Sequence, residues 1–150
     1  VMSFSAIAER DNGQTVTYAW FNALRTAGIA VETFLGGGFI QETSVSIANT
    51  QGAPANVTGL VLSSASYKSG IVYASIKRKT DSNEVVSVGT LGLIYRDATS
   101  TWDITETWQG DLTGVTLSIT AAGQVQYQTD DLTGTNYTGT IKFRAITFNA

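Results

Sequence analysis

Carboxylates are the side chains of this sequence best suited to chemistry, and they gather in two stretches. The first stretch holds Asp97, Asp103, Glu106 and Asp111, and the second holds Asp130 and Asp131. Two carboxyl groups about 5–10 Å apart across a cleft can hydrolyse a glycosidic bond, and several oxygens converging from one loop can bind calcium. The spacing is diagnostic of neither, and aspartate is common in turns because its side chain bonds to its own backbone. We therefore predict surface turns, with a calcium site and a catalytic pair as the alternatives.

The residues that most enzymes use as bases and nucleophiles are missing. None of the 150 residues is histidine or cysteine, which removes the usual general base, the thiol nucleophile and the commonest metal ligands. The sequence has no G-x-S-x-G elbow, and Gly36-Gly37-Gly38 lacks the Lys-Ser/Thr of a phosphate-binding loop. We therefore predict that the chain is not an enzyme, and we assign it no catalytic residue, metal ligand or cofactor.

Two tryptophans could supply a different kind of chemistry, the stacking of aromatic rings on sugars. Trp102 and Trp108 are six residues apart in a stretch with strand character, so both point to the same side of a strand. Ile104 lies between them, which favours packing in a core, whereas an exposed platform for a glycan is the alternative. On that alternative the candidate ligand-binding residues are Trp102, Trp108, Asp97, Asp130 and Asp131.

Charge is sparse and slightly acidic. Charged residues make up 14% of the chain and the formal net charge is −3, so the sequence lacks the basic surface that nucleic-acid binding needs. The one basic run, Lys77-Arg78-Lys79, stands near Asp81 and Glu84, which predicts a solvated hairpin end. Contact of this run with an anionic glycan or lipid is the alternative. No apolar run approaches the roughly 18 residues of a membrane span, so we expect no membrane insertion.

One amphipathic helix is predicted near the start of the sequence. Residues 18–27 have helical character, and Thr15 or Thr17 can cap them because a hydroxyl accepts from the unpaired first-turn amides. Five apolar residues follow a 4-3-4-3 spacing that places them in one stripe, namely Trp20, Leu24, Ala27, Val31 and Phe34. A lone short helix must pack such a stripe on something. We therefore predict that these five residues form an oligomer interface in a homotrimer.

After Gly36-Gly37-Gly38 the polarity alternates with the period of a β-strand. Strands are predicted at about 43–49, 57–62, 67–79, 84–96, 101–108, 115–120, 124–128 and 136–148. The stretch 84–96 is apolar on both faces, so it is either central or in contact with another subunit. Gly123 closes a tight turn where a positive φ is expected. The predicted fold is mainly β, an antiparallel β-sandwich of immunoglobulin-like or jelly-roll-like form in residues 39–150, with one α-helix in an N-terminal arm, residues 1–38.

Three parts of the sequence carry a family resemblance. They are TYAWFNALR at 17–25, NVTGL at 56–60 with YASIKRKT at 73–80, and GVTLSITAAGQVQY at 114–127 with NYTGTIKFR at 136–144. Together they resemble the small structural and fibre-type modules of tailed bacteriophage particles over roughly residues 15–148. The resemblance implies a β-sandwich module, often trimeric, in a tail, collar, fibre or head decoration protein, with no catalytic residues to carry over.

These observations lead to one expectation about function and one alternative. The expectation is a structural component of a tailed phage virion, made in the cytoplasm of the host bacterium, that oligomerises and docks on other particle proteins. The alternative is a fibre module that binds a receptor or glycan on the host surface through the loops at 97–100 and 130–135. In both cases residues 1–38 are expected to serve oligomerisation and attachment.

Overall fold

Eight β-strands make up the part of the chain that the computed structural model describes, residues 37–149. In chain order they are β1 (Gly37–Ser46), β2 (Ala55–Val61), β3 (Tyr67–Lys79), β4 (Glu84–Arg96), β5 (Thr101–Gly110), β6 (Val115–Ile119), β7 (Gln124–Thr129) and β8 (Thr138–Asn149). One sheet has five strands in the order β1-β8-β3-β4-β5, and the other has three in the order β2-β7-β6. Every pair of neighbouring strands is antiparallel.

The prediction of a mainly β, antiparallel fold is confirmed for the described residues, which contain no helix. The two longest strands, β3 and β4, begin and end where the alternation places them. The strands β2, β5, β6, β7 and β8 agree with their predicted bounds to within two residues. The predicted helix and its stripe from Trp20 to Phe34 lie outside the described residues. Within residues 37–149 no helix could span a membrane.

The first strand differs from the prediction. The alternation predicts a strand at 43–49 after a glycine joint, whereas β1 already begins at Gly37. Gly37 and Gly38 pair with the end of β8, so bonding to a neighbouring strand holds two of the three glycines in the sheet. The register shifts between Ile40 and Thr43. Such a bulge interrupts the alternation, so the period-two pattern does not extend back to the start of the strand.

The two sheets share one apolar core, because each strand alternates inward and outward side chains. On β3 the inward residues are Val72, Ala74 and Ile76, all of them buried. The other strands contribute Leu91, Leu93, Ile141, Phe143 and Ala145 from the five-stranded sheet and Val57, Leu60, Leu117, Val125 and Tyr127 from the three-stranded sheet. Full burial of one large aliphatic side chain stabilises a fold by about 1.5–3 kcal/mol. Packing of these side chains therefore joins the two sheets into a sandwich.

The connections divide between the two ends of the sandwich. One end, called here the four-loop end, carries residues 47–54, 80–83, 111–114 and 130–137. The other, the three-loop end, carries residues 62–66, 97–100 and 120–123. This division follows from the antiparallel order, because successive strands of a hairpin run in opposite directions.

Candidate functional site

The two tryptophans of β5 face inward, on the same side of the strand, as their spacing predicts. Trp102 is 6% exposed, and its ring centroid lies 5.3 Å from that of Tyr95. Trp108 is partly buried against the same core, and its Nε1 donates to Glu106 Oε2 at 2.7 Å. The structure thus places Trp102 in the core rather than on a sugar-binding platform. Trp108 is only partly buried.

The acidic candidates lie at opposite ends of the sandwich. Asp97 is exposed at the three-loop end, where it accepts from Lys68 Nζ at 2.7 Å. Asp130 and Asp131 lie at the four-loop end, and Asp131 Oδ1 accepts from Asn49 Nδ2 at 3.0 Å. The length of the sheet separates the two ends, so the structure does not bring these carboxylates into one site. Among residues 37–149 no three acidic side chains stand close enough together to hold a metal ion.

Arg78 is the only charged side chain at core depth in the described part of the chain, with 1% of its surface exposed. Its Nη1 donates to the carbonyl oxygen of Thr113 at 2.5 Å, and its Nε donates to the hydroxyl of Tyr137 at 3.1 Å. Its Nη2 donates to Asn49 Oδ1 at 2.6 Å and to the carbonyl oxygen of Asp130 at 2.5 Å. One guanidinium therefore ties together three loops of the four-loop end.

The burial of Arg78 corrects the prediction of a solvated basic hairpin end. Lys77 and Lys79 do point outward, and their ammonium groups lie 3.3 and 3.9 Å from the carboxylate of Glu84. Arg78 stands between them in the strand, so the alternation turns it inward. The basic run is thus two exposed lysines on either side of a structural arginine.

Asp81 ties the β3–β4 hairpin to the loop at 130–137. Its Oδ2 accepts from the hydroxyl of Thr135 at 2.6 Å, and its Oδ1 accepts from the backbone N–H of Thr135 at 2.8 Å. These two hydrogen bonds, with a smaller contribution from Ser82, favour the ionised carboxylate and lower the pKa of Asp81 below its ordinary value. At the four-loop end, Asp81 and Arg78 therefore bind residues of the chain itself.

The outer face of the five-stranded sheet exposes large apolar side chains. We call this surface the apolar face; its members are 40–58% exposed, namely Ile71, Tyr73, Val86, Val88, Ile94 and Phe148. They are six of the eight large apolar side chains that are exposed among the described residues. Ile94 and Phe148 lie on either side of Ser69 of β3, and the other members follow along the same three central strands. A contiguous apolar patch on a folded domain marks an interaction surface.

Charge is distributed unevenly across the sheet that carries this face. The strand β8 has two outward cations, Lys142 and Arg144, and no acid, so we call it the basic side. On β5, Asp103 points outward beside Arg96, whereas Glu106 lies on the same side of the strand as Trp102 and Trp108. Asp111 follows the strand and accepts from the backbone N–H of Val86. The guanidinium carbon of Arg144 lies 5.5 Å from the centroid of the Tyr73 ring. No described carboxylate is in ion-pair contact with Lys142 or Arg144.

The outer face of the three-stranded sheet has the opposite character, since its side chains are mostly polar and uncharged. Gln126 Nε2 donates to Asn56 Oδ1 at 2.9 Å, and Gln128 Nε2 donates to the carbonyl oxygen of Gly52 at 2.5 Å. Val61, which is 47% exposed, is the large apolar side chain exposed on this sheet in the described residues. Covering the outer face of the five-stranded sheet would therefore remove more apolar surface from water than covering the outer face of the three-stranded sheet.

The sequence alone did not predict the apolar face as a single surface, although one stretch of the sequence indicated part of it. The stretch 84–96 is apolar on both faces, and contact with another subunit is one of its two explanations. The structure shows that Val86, Val88 and Ile94 of this stretch point outward and stay exposed. The predicted interface residues Trp20, Leu24, Ala27, Val31 and Phe34 lie outside the described residues.

Comparison with known proteins yields one distant likeness. No protein-family model matches the sequence, and no curated protein matches it. The crystal structure of the tailspike protein of Acinetobacter phage vB_ApiP_P1 is similar over 75% of this chain, with 15% sequence identity and a TM-score of 0.38. The matched region spans 21% of that tailspike chain. A likeness this distant does not decide what this chain does.

Proposed function

We propose that this chain is a self-associating structural module of a tailed phage particle. The observation that carries the proposal is the apolar face, whose six members lie together on the outside of a folded sheet. Removing apolar surface from water lowers the free energy by about 25 cal/mol per Å². A protein surface that covers this face is therefore bound favourably. The phage context comes from the resemblance of residues 15–148 to virion modules.

The described side chains support a structural rather than a catalytic role. The buried guanidinium of Arg78 and the carboxylate of Asp81 both bind groups of their own chain. The acidic candidates Asp97 and Asp131 each have a partner within the chain and lie at opposite ends of the sandwich. A glycosidase needs two carboxyl groups facing one cleft, and these residues do not provide that arrangement.

The host-binding alternative has one observation in its favour. Trp108 is only partly buried, and the carboxylate of Glu106 accepts a hydrogen bond from its indole N–H. An aromatic ring with an adjacent hydrogen-bond acceptor suits a sugar, which offers C–H groups to the ring and hydroxyls to the carboxylate. Binding of the purified chain to members of a glycan array, with loss of binding in Glu106→Ala, would favour this second function.

The mass of the purified chain in solution tests the structural proposal. Light scattering at micromolar concentration should give a stable multiple of the 15.9 kDa chain mass, three times that mass for the expected trimer. Mass spectrometry of purified phage particles should find the chain in a fixed copy number. A stable monomer in solution, or particles that lack the chain, would contradict the proposal.

A further inference from the structure

We infer that a groove on the outer face of the five-stranded sheet binds an acidic saccharide, a sugar chain whose units carry carboxylates. The groove, called here the Arg144 groove, consists of two clefts of about 390 and 190 Å³ that share Glu42, Tyr73 and Arg144 in their linings. The larger cleft falls within the roughly 300–1,000 Å³ that small-molecule sites occupy. The inference goes beyond the proposed self-association, because it assigns a ligand to a site on this sheet.

The bulge of β1 shapes one wall of the Arg144 groove. Gln41 and Glu42 fall between the paired residues Ile40 and Thr43, so neither has a Cα partner in β8. A bulge bends its strand and re-aims the side chains that it carries, and both residues line the larger cleft. The interruption of the pairing therefore accounts for a concave site on the face of a sheet.

Two cations of the basic side make the groove attractive to an anion. Lys142 and Arg144 line the smaller cleft, and neither is in an ion pair with a carboxylate of residues 37–149. Glu42 is the acid of the lining, so the lining side chains carry one net positive charge. An arginine fork binds a carboxylate through two parallel hydrogen bonds. A ligand with a carboxylate therefore complements this charge.

The other groups of the lining suit a sugar better than a phosphate. Tyr73 is 42% exposed, and the guanidinium carbon of Arg144 lies 5.5 Å from the centroid of its ring. A sugar can place its C–H groups on this ring while its carboxylate meets the guanidinium. Glu42 and Ser75 can accept from sugar hydroxyls, whereas the carboxylate of Glu42 would repel the nearly double charge of a phosphate.

Calorimetric titration of the purified chain tests the class of ligand. The probes are a trimer of galacturonic acid, a trimer of sialic acid and a tetrasaccharide of hyaluronan, each compared with its methyl ester, and inorganic phosphate. We expect at least one acidic probe to bind with a dissociation constant of about 1 mM or below, and its ester to bind at least about 10-fold more weakly. Binding of phosphate alone, equal binding of acid and ester, or binding of no acidic probe would overturn the inference.

Substitutions test the position of the site. Arg144→Gln should weaken binding of the acidic probe about 10- to 100-fold, because the charge-assisted hydrogen bonds are lost. Tyr73→Ser should weaken it about 5- to 10-fold through loss of the ring. The matched control is Lys77→Gln, which removes an exposed cation of β3 outside the groove that pairs with Glu84. This control should stay within about twofold of the parent protein.

Circular dichroism should show cooperative melting of every variant, because the substituted side chains are exposed. Equal weakening by Arg144→Gln and Lys77→Gln would show unspecific attraction of charge and would contradict the inference. Loss of binding in Glu106→Ala with full binding in Arg144→Gln would place the sugar beside Trp108 and would contradict it as well. Light scattering of the same samples reports self-association, so a parent that self-associates but binds no acidic probe leaves the proposed function standing.

Discussion

A buried arginine that has no carboxylate partner among residues 37–149 is the most informative single residue of the described part of the chain. Arg78 has its charge balanced by carbonyl, amide and hydroxyl oxygens of Thr113, Asp130, Asn49 and Tyr137. A guanidinium suits this position because its donors form a rigid, planar fork that reaches several acceptors at once. Three of the four loops at the four-loop end are therefore held by one buried side chain.

Replacement of Arg78 by lysine should destabilise the fold by about 3–5 kcal/mol. Lysine keeps the charge, but a single ammonium cannot reach the acceptors on three loops, and several buried oxygens lose their donor. The free energy of unfolding in urea measures the loss. The matched control is Lys79→Ala in the same strand, where the exposed ion pair with Glu84 should contribute less than about 1 kcal/mol. Similar losses in both variants would contradict the role assigned to Arg78.

The carboxylate of Asp81 should make stability depend on pH in the acid range. Because hydrogen bonds from Thr135 lower the pKa of Asp81 in the folded chain, its contribution is fully present above the ordinary value of about 4. The contribution is lost as the pH falls below about 4, where the unfolded chain takes up the proton first. Urea unfolding between pH 2 and pH 7 measures this dependence. At pH 7 the free energy of unfolding of Asp81→Asn should be lower than that of the parent, and this difference should decrease as the pH falls below about 4.

Thr135→Val provides an independent check, since it removes the hydroxyl that contributes most to the lowered pKa of Asp81. It should flatten the acid limb of the stability curve in the same direction as Asp81→Asn. Curves that run parallel to the parent at every pH would show that this pair does not couple folding to protonation.

At the scale of elements, the strands follow from alternation where nothing interrupts it. The paired strands β3 and β4 carry inward apolar residues at every second position, and the turn at 80–83 joins them as predicted. The strand β1 is different, because its bulge and its two glycines remove the alternation. Gly123 confirms the expectation for its turn with a φ of +81°.

Replacement of Gly123 by alanine should destabilise the fold by about 2–4 kcal/mol. A Cβ at this position would lie 1.8 Å from the carbonyl oxygen of Leu62, and the positive φ disfavours an L side chain. The turn would have to open, breaking the bond from Leu62 N–H to the carbonyl oxygen of Gly123 at 2.9 Å. Thermal melting measures the effect. Gly52→Ala is the control, since no atom lies within 4 Å of a Cβ there, and a loss as large as that of Gly123→Ala would contradict the explanation.

At the scale of the whole molecule, the two faces of the sandwich determine how it meets its surroundings. The side-chain amides on the outer face of the three-stranded sheet bind one another or the backbone, whereas the five-stranded sheet exposes the apolar face. A sandwich of this kind is expected to stay in water on one side and to be covered on the other.

The first 36 residues are expected to serve attachment and oligomerisation rather than the fold of the β-domain. A protein that begins at Gly37 should melt cooperatively with a β spectrum, while its self-dissociation constant rises because the stripe from Trp20 to Phe34 is gone. A protein that begins at Phe39 should melt at a lower temperature, because it loses the pairing of Gly37 and Gly38 with β8. An insoluble or molten product from Gly37 onward would contradict the expectation.

The sequence by itself determined the class of the fold and most of its strands, because period-two alternation and turn residues act over a few neighbouring positions. These local patterns predicted the strands β3 and β4 and the turn at Gly123. The alternation of β3 turns Arg78 to the inner side, but only the tertiary structure decided which loop oxygens meet its guanidinium there, and that the outward residues of three strands form the apolar face. Both depend on which strands become neighbours and which loops meet at one end. That choice is made by contacts between residues far apart in the chain, which no local pattern encodes.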